Sequence, residues 1–361
     1  DYGLGRTNAE FIAIFDADFL PDKNFLMATL PHFSRDNVGV VQSRWAHTND
    51  GFSFLTKAQA IMLNTHFSVE QLGRNKSGAF INFNGTAGIW RKSCIEDAGG
   101  WTADTLTEDL DLSFRAQLKG WSFNYLYDVE SPAELPVTLD AYKTQQYRWS
   151  KGAAECIRKN MRDLWSSKAS LWAKLAGTVH LSNSSVYIVV LLLVITSPII
   201  FWMNQENVLN EDLTAVVSYS SLFVSTALPL IFLTGHLMAT KNKLLELLIF
   251  PVRFYMFLAI SIGISLYMVV GVIEGYFGRS SEFVRTPKYN LLGKRRDKLE
   301  EDYSSKKEVN LTIFEVLLML FGLGSMSLGF YYLDPFMIAY GLMIFLGYTL
   351  KLFYSRTVFR F

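Results

Sequence analysis

The order of apolar and polar stretches predicts a first part made of short strands and helices and a second part made of long apolar helices. Residues 11–15 are five apolar residues in a row, and they lead directly into Asp16 and Asp18. Such a run is typical of a strand buried in a parallel sheet, and ligands bind beyond the carboxyl ends of such strands. Because side chains alternate along an extended backbone, we expect both carboxylates on the same side.

The same alternation of short elements continues to about residue 162. The spacing of apolar residues, with Gly and Pro as boundaries, predicts strands over 38–43, 80–83 and 123–127. It predicts helices over 24–33, 52–72, 107–120 and 143–162, and a further helix through Ala98 to which residues 89–91 lead. Polar groups that follow the strands or begin the helices are the candidates for a functional site.

Two of these polar groups lie in turns that follow strands. Asp16 and Asp18 suit a hard divalent cation such as Mg²⁺ or Mn²⁺, which can in turn hold a diphosphate. The alternative is a polar turn closed by Pro21. The small residues from Asn84 to Gly88 would let a ligand approach the backbone closely, but Asn-Gly is also a strong signal for a plain hairpin turn.

Two further groups lie on predicted helices. Thr107 is a candidate N-cap, and Glu108 and Asp109 either complement the helix dipole or supply a general base. Gln145, Arg148 and Trp149 share one helix face, where Arg suits a phosphate and Trp offers a flat surface for a sugar ring. The alternative for this second group is an interfacial helix with Trp and Arg at the lipid headgroups.

The second part of the chain predicts membrane spans. Four stretches are long and apolar enough to cross a bilayer, and they are 179–202, 216–239, 311–332 and 336–353. Their Lys and Arg flanks place the first part in the cytosol by the positive-inside rule. The stretch 254–273 is equally long, but basic residues lie on both sides of it. We therefore expect 249–278 to be re-entrant or interfacial, with a bend near Gly263 or Gly271.

Composition agrees with a soluble part followed by membrane spans. Half of the residues are hydrophobic, 15% are aromatic, and the mean hydropathy is +0.19, which is too apolar for an ordinary soluble enzyme. The net charge of +1 argues against nucleic-acid binding. The two cysteines show no CxxC spacing, so neither a zinc site nor a disulfide framework is indicated. Because the chain opens without a first strand, we expect a fragment that lacks the front of its first domain.

The order of the candidate motifs resembles that of the processive inverting glycosyltransferases of family 2, which include the cellulose synthases. The motifs are Asp16-x-Asp18, Asn84-Gly85-Thr86, Thr107-Glu108-Asp109, Gln145-x-x-Arg148-Trp149 and a segment from Phe283 to Lys288. Phe19 stands where cellulose synthases often have His, and Arg285 stands where they have Val. These departures favour the cellulose synthase-like mannan/glucan synthase branch.

The resemblance implies a partial GT-A-type α/β catalytic domain followed by an α-helical transmembrane region. The domain bounds are 1–150 for the cytosolic catalytic domain, 151–177 for amphipathic interfacial helices and 178–361 for the transmembrane region, with a cytosolic gating-type loop over 279–310.

The resemblance also implies roles for the matching residues. Asp16 and Asp18 bind the metal and the nucleotide diphosphate, and Asp109 is the general base that deprotonates the acceptor hydroxyl. The donor side further comprises Gln145, Arg148, Thr286 and Lys288. The acceptor side comprises Trp149, Asn84, Gly85, Thr86 and Glu108.

The implied function is a metal-dependent, inverting hexosyltransferase that uses Mg²⁺ or Mn²⁺. It moves a sugar from a nucleotide sugar of the UDP-glucose or GDP-mannose type to a growing β-linked polysaccharide, with export through the membrane. The first alternative is an enzyme that adds one sugar to a lipid acceptor, and a remote one is a transporter with a regulatory domain. The expected partners are the nucleotide sugar, the glycan or glycolipid acceptor and the bilayer. The expected location is a bacterial inner membrane, or a Golgi membrane in a plant.

Overall fold

A computed structural model describes residues 2–287 and 310–354, and it consists of an α/β part followed by long helices. The strands are β1 (Phe11–Ile14), β2 (Val38–His47), β3 (Gly88–Arg91) and β4 (Ser122–Ala133). The helices up to the end of the α/β part are α1 (Phe25–Thr29), α2 (Phe54–Thr65), α3 (Leu72–Lys76), α4 (Lys92–Asp97), α5 (Glu108–Leu118) and α6 (Leu139–Ser166). The later helices are α7 (Leu171–Ser182), α8 (Val186–Gln205), α9 (Glu211–Ala239), α10 (Lys243–Tyr276), α11 (Thr312–Tyr331) and α12 (Pro335–Tyr354).

The four strands form one mixed sheet in the order β1-β3-β2-β4. β2 and β4 are parallel, whereas β3 runs antiparallel to both β1 and β2. The first strand was predicted correctly, but its expected burial in a parallel sheet is wrong, because β1 pairs with β3 alone and Ala13 is exposed. An apolar run indicates burial of side chains and does not specify the direction of the neighbouring strand.

Asp16 and Asp18 follow β1 in a tight turn and not in extended backbone. The backbone N–H of Phe19 donates to the carbonyl of Asp16 at 3.0 Å, which closes the turn. The expectation that strand alternation places the two carboxylates together is therefore wrong in its geometry.

The predicted strand over 80–83 does not form. Ile81 and Phe83 are buried, but their backbone groups pair with side chains of α5. The N–H of Ile81 donates to Gln117 Oε1 at 3.1 Å, and the N–H of Phe83 donates to Ser113 Oγ at 2.9 Å. Because these side chains satisfy the buried backbone, no strand partner is required.

Within the described residues, five helical segments are long and apolar enough to cross a membrane, as judged by length and composition. They are Leu171–Gln205, Glu211–Ala239, Lys243–Tyr276, Thr312–Tyr331 and Pro335–Phe353. The expectation of a re-entrant segment broken near Gly263 or Gly271 is wrong, because α10 continues as a helix through both positions and is itself a candidate span. Its glycines serve close packing: Gly263 faces the backbone of Gly347 on α12, and Gly271 faces the ring of Tyr147 on α6.

We expect the contact between α10 and α12 to require glycine at position 347. A Cβ there would overlap the backbone carbonyl of Ala259, and backbone cannot move aside as a flexible side chain can. Gly347→Ala should therefore lower stability by about 1–3 kcal/mol, measured as a lower Tm in detergent. Gly324→Ala on α11 is the matched control, because a Cβ there meets no atom within 4 Å. Equal Tm values for the two variants would contradict the close packing.

Candidate active site

The buried side chain of Gln42 on β2 fixes the loop from Asn84 to Ala87. Its Nε2 donates to the carbonyls of Thr86 at 3.2 Å and Ala87 at 3.0 Å, and its Oε1 accepts from the N–H of Asn84 at 3.1 Å. Thr86 Oγ1 in turn accepts from the N–H of Asp16 at 2.7 Å. Ala87 is held at a φ of 61°, which is uncommon for a residue with a side chain. Gln42 thus holds the Asn84-Gly85-Thr86 motif, and Thr86 of that motif holds the backbone of Asp16.

Gly85 brings this loop against Asp109 at the start of α5. Its φ of 78° favours glycine, and a Cβ there would lie 3.2 Å from Asp109 Oδ2. Thr107 occupies the N-cap position of α5 as predicted, although its side chain makes no capping hydrogen bond. Its hydroxyl instead lies 3.5 Å from Cys156 Sγ on α6.

Asp109 has an unusual electrostatic environment. Burial and, to a smaller extent, the neighbouring charge of Glu108 raise its pKa to about 7, against the opposite effects of backbone hydrogen bonds and of Arg148. Burial also lowers the pKa of Arg148, and the negative charges of Asp109, Glu108 and Asp16 counteract that effect. A carboxyl group with a pKa near neutrality can accept a proton from a weakly acidic group and release it again.

A cavity of about 560 Å³ brings most of the predicted site residues together. The predicted residues that line it are Asp16, Asp18, Asn84, Gly85, Glu108, Asp109, Gln145, Arg148, Trp149 and Thr286. Thr86 lies behind the wall, where it holds the backbone of Asp16. Lys288 lies outside the described residues.

Helix α6 and the segment over 281–287 meet at one end of this cavity. Arg148 Nη1 donates to the carbonyl of Val284 at 3.2 Å, and the Arg148 guanidinium lies 4.5 Å from the centre of the Phe283 ring. Arg285 and Thr286 also line the cavity. The segment is therefore held against the helix face that carries Gln145, Arg148 and Trp149.

Sequence reasoning missed Trp45, His47 and Glu134, which also line the cavity. The strand over 38–43 was predicted too short, since β2 extends to His47. Had the alternation been followed further, residues 45 and 47 would have fallen on one face of β2. The ring centres of Trp45 and Trp149 lie 6.4 Å apart, so the two indoles form adjoining parts of the wall.

Four cavity-lining side chains have a buried polar atom without a hydrogen-bond partner in the part of the chain that the structure describes. These atoms are Trp45 Nε1, His47 Nε2, Asn84 Nδ2 and Thr286 Oγ1. Such atoms are costly when unpaired, and native proteins usually satisfy them. Their concentration in one cavity indicates that it receives a polar ligand.

The donor set of the cavity suits a hard cation. Asp16 and Asp18 both line it and offer carboxylate oxygens, which Mg²⁺ and Mn²⁺ prefer. Among residues 2–287 and 310–354, no three His, Cys, Asp or Glu side chains lie close enough together to hold a metal alone. A cation bound by the two aspartates would therefore complete its coordination with ligand oxygens or water.

Comparison with known proteins gives one family match and several relatives. The model of the family described as Glycosyl transferase family group 2 matches residues 11–270, which is more than half of the chain.

Two rice proteins (Oryza sativa subsp. japonica) are similar over part of the chain. "Probable glucomannan 4-beta-mannosyltransferase 7" is 48% identical over 160 residues, covering 44% of this chain and 27% of that protein. "Glucomannan 4-beta-mannosyltransferase 1" is 45% identical over 168 residues, covering 46% of this chain and 32% of that protein. The matched part of the chain thus corresponds to about a third or less of these relatives' length.

A solved structure of a mannosyltransferase from Pyrobaculum calidifontis, in complex with GDP-Man and Mn²⁺, is similar with a TM-score of 0.41 and 15% identity. The similarity covers 77% of this chain and 66% of that one.

We expect Asp109 to make the stability of the protein depend on pH. Its folded pKa is raised from 3.8 to about 7, so its contribution to stability is fully present below about pH 4 and is lost as the pH rises through about 7. Asp109→Asn should therefore be more stable than the wild type above pH 7, by on the order of a few kcal/mol, and should gain little at pH 4. Thermal unfolding between pH 4 and 8 measures this difference. A gain that does not depend on pH would contradict the desolvation of Asp109.

Proposed function

The chain belongs to glycosyl transferase family group 2, and we propose that it transfers a hexose from a nucleotide sugar to a growing β-linked glycan. The family match confirms the predicted fold class, a GT-A-type α/β domain that is followed by helices apolar enough to span a membrane. The observation that carries the proposal is the cavity that joins Asp109, of raised pKa, to two aspartates, an arginine and a tryptophan.

We assign the donor side to Asp16, Asp18, Gln145, Arg148 and Thr286. A nucleoside diphosphate leaves with negative charge, and the half-buried guanidinium of Arg148 stabilises that charge. Mg²⁺ or Mn²⁺ held by the two aspartates would balance the diphosphate charge before and during its departure. GDP-mannose is our first choice of donor, because the two rice relatives are described as glucomannan mannosyltransferases.

Asp109 acts as the general base in this proposal. An acceptor hydroxyl attacks the anomeric carbon from the face opposite the diphosphate, and the carboxylate of Asp109 takes the hydroxyl proton as the new C–O bond forms. The bond between the anomeric carbon and the diphosphate breaks in the same step, and its electrons leave with the diphosphate. A single displacement inverts the configuration, so an α-linked donor gives a β-linked product.

The acceptor side comprises Trp149, Asn84, Gly85 and Glu108, with Thr86 supporting the loop from behind. The indole of Trp149 gives the terminal acceptor sugar a flat surface, and the small residues of the loop leave room beside Asp109.

Contact between α6 and α10 supports delivery of the product toward the membrane. Tyr147 Oη donates to Glu274 at 2.5 Å, next to the turn of α6 that carries Arg148 and Trp149. We propose a cytosolic catalytic domain over 1–150, interfacial helices over 151–177 and a membrane region from 178, although α6 is continuous across residue 150. Processive synthesis with export follows as the proposed role of the membrane part.

The function is tested by incubating membranes that contain the full-length protein with radiolabelled GDP-mannose or UDP-glucose and Mg²⁺ or Mn²⁺. We expect a long, insoluble β-linked product, whereas a single organic-soluble glycolipid would support the non-processive alternative. Asp109→Asn should reduce transfer by about 10²–10⁴-fold, because an amide cannot take the proton. The exposed Asp36→Asn serves as the control and should retain full activity. Unchanged transfer by Asp109→Asn would disprove the assignment of the base.

The pH profile of transfer gives an independent test of the base. Because Asp109 must be deprotonated to act, kcat/KM should rise with pH and level off above about 7. Glu108→Gln removes a neighbouring negative charge that raises the pKa of Asp109, so the midpoint should shift to lower pH. Asp36→Asn removes one charge far from the cavity and should leave the midpoint in place. A midpoint that Glu108→Gln leaves unchanged would contradict this electrostatic coupling.

A further inference from the structure

His47, the last residue of β2, lies in the cavity wall beside Trp45 and has no role in the proposal above. Its Nε2 is buried and has no hydrogen-bond partner within the described ranges. Burial, together with the charge of Arg44, lowers the pKa of the imidazole to about 4. The ring is therefore neutral at neutral pH, with a proton on one nitrogen and an unshared electron pair on the other.

A chain of hydrogen bonds that leads away from the cavity decides which nitrogen carries the proton. It begins at Glu246 on α10, which Arg253 contacts and whose carboxylate can only accept. His236 Nε2 lies 3.0 Å from Glu246 Oε2, so His236 donates there and its Nδ1 is left to accept. Asn64 Nδ2 on α2 lies 3.4 Å from His236 Nδ1 and is the donor.

The end of this chain sets the chemistry of His47. Asn64 forms a hydrogen bond with His47 that raises the pKa of the imidazole. A partner that accepts from the ring stabilises its protonated form, so the amide oxygen of Asn64 accepts from His47. Because His47 Nε2 has no partner, that bond engages Nδ1. Nδ1 therefore carries the proton, and Nε2 is a hydrogen-bond acceptor in the wall of the cavity.

A buried hydrogen-bond acceptor such as His47 Nε2 requires a ligand group that donates a hydrogen bond. The oxygens of a nucleoside diphosphate carry no proton at neutral pH, so they would meet the electron pair of Nε2 unfavourably. A sugar hydroxyl donates and fits. The side of the cavity is also informative, since Asn64 and His236 connect His47 to α9, a candidate membrane span. In the proposed export, this is the side toward which an extended glycan would leave.

We propose that His47 Nε2 accepts a hydrogen bond from a hydroxyl group of the acceptor glycan, and that Asn64 and His236 are positioning residues that fix the ring. This inference rests on the proposed glycosyltransferase function. It assigns a binding residue for the acceptor that none of the motifs contains.

The experiment uses the full-length protein in lipid nanodiscs with β-1,4-mannan oligosaccharides as acceptors and GDP-mannose as donor. His47→Phe keeps a flat aromatic ring, although a larger one, and loses the acceptor nitrogen. We therefore expect the KM for the acceptor to rise roughly tenfold while the KM for GDP-mannose stays constant. His47→Gln retains an acceptor oxygen and should recover most of the affinity. His32→Phe is the matched control on the exposed surface and should behave as the wild type.

Acceptors that lack single hydroxyl groups identify the contact directly. For the wild type, we expect one deoxy acceptor to bind roughly tenfold more weakly than the unmodified oligosaccharide. For His47→Phe, the same deoxy acceptor and the unmodified oligosaccharide should bind equally well. Direct titration of the acceptor without donor guards against loss of folding, and Tm shows whether each variant is intact.

Asn64→Leu should raise the KM for the acceptor and leave the KM for the donor unchanged. Asn64→Asp still accepts a hydrogen bond from His47, so its KM for the acceptor should be close to that of the wild type. The inference is overturned if folded His47→Phe matches the wild type with every acceptor, or if only the donor KM changes. A wild-type protein that transfers no sugar from either nucleotide sugar would instead overturn the proposed function.

Discussion

The packing of α6 against α10 is the contact on which the candidate site depends. Lys151 on α6 is fully buried, and its ammonium group lies 3.0 Å from Glu274 Oε2 and also contacts Ser281 Oγ. Breaking a buried pair by removing one partner typically costs about 3–5 kcal/mol, because the remaining charge is left uncompensated. Gly275 permits the approach, since a Cβ there would lie 2.6 Å from the carbonyl of Lys151. The next turn back along α6 carries Arg148 and Trp149, so the position of the site follows from a contact with a membrane helix.

Burial on this scaffold sets the chemical character of each side chain in the cavity. The same loss of water shifts Asp109 and His47 toward their neutral forms, in one case by raising a pKa and in the other by lowering it. Arg148 remains a cation because a guanidinium keeps its proton at any ordinary pH. The charges of Asp109, Glu108 and Asp16 also counteract the lowering of its pKa by burial. The cavity therefore has one charged end, suited to a diphosphate, and one wall of neutral hydrogen-bonding and aromatic groups, suited to a sugar.

The local pattern of apolar and polar residues was sufficient to predict some features of this molecule and insufficient to predict others. The helices that carry Asp109 and Trp149 follow from apolar spacing and a stop at Gly120, and the motif order was sufficient to indicate the family. The direction of β1 pairing, the use of Gln117 in place of a strand partner and the hydrogen bonds of Gln42 depend on residues distant in sequence. The glycines of α10 were misinterpreted for the same reason, because a glycine that breaks a helix and one that admits a neighbouring helix look identical in sequence.

The neutral wall also bears on how a growing chain moves. In the elongation that we propose, the product shifts by one sugar after each transfer, so that a new terminal hydroxyl faces Asp109. A site that held the glycan through charge-assisted hydrogen bonds would resist this shift, because such bonds are about twice as strong as neutral ones. Trp45, His47 and Trp149 offer stacking surfaces and a neutral acceptor, which the next sugar of a uniform polymer can engage in the same way. Asp16, Asp18 and Arg148 act on the nucleotide sugar in the proposed reaction, and the nucleotide sugar is replaced in every cycle. A neutral surface for the glycan therefore suits the repeated elongation that we propose.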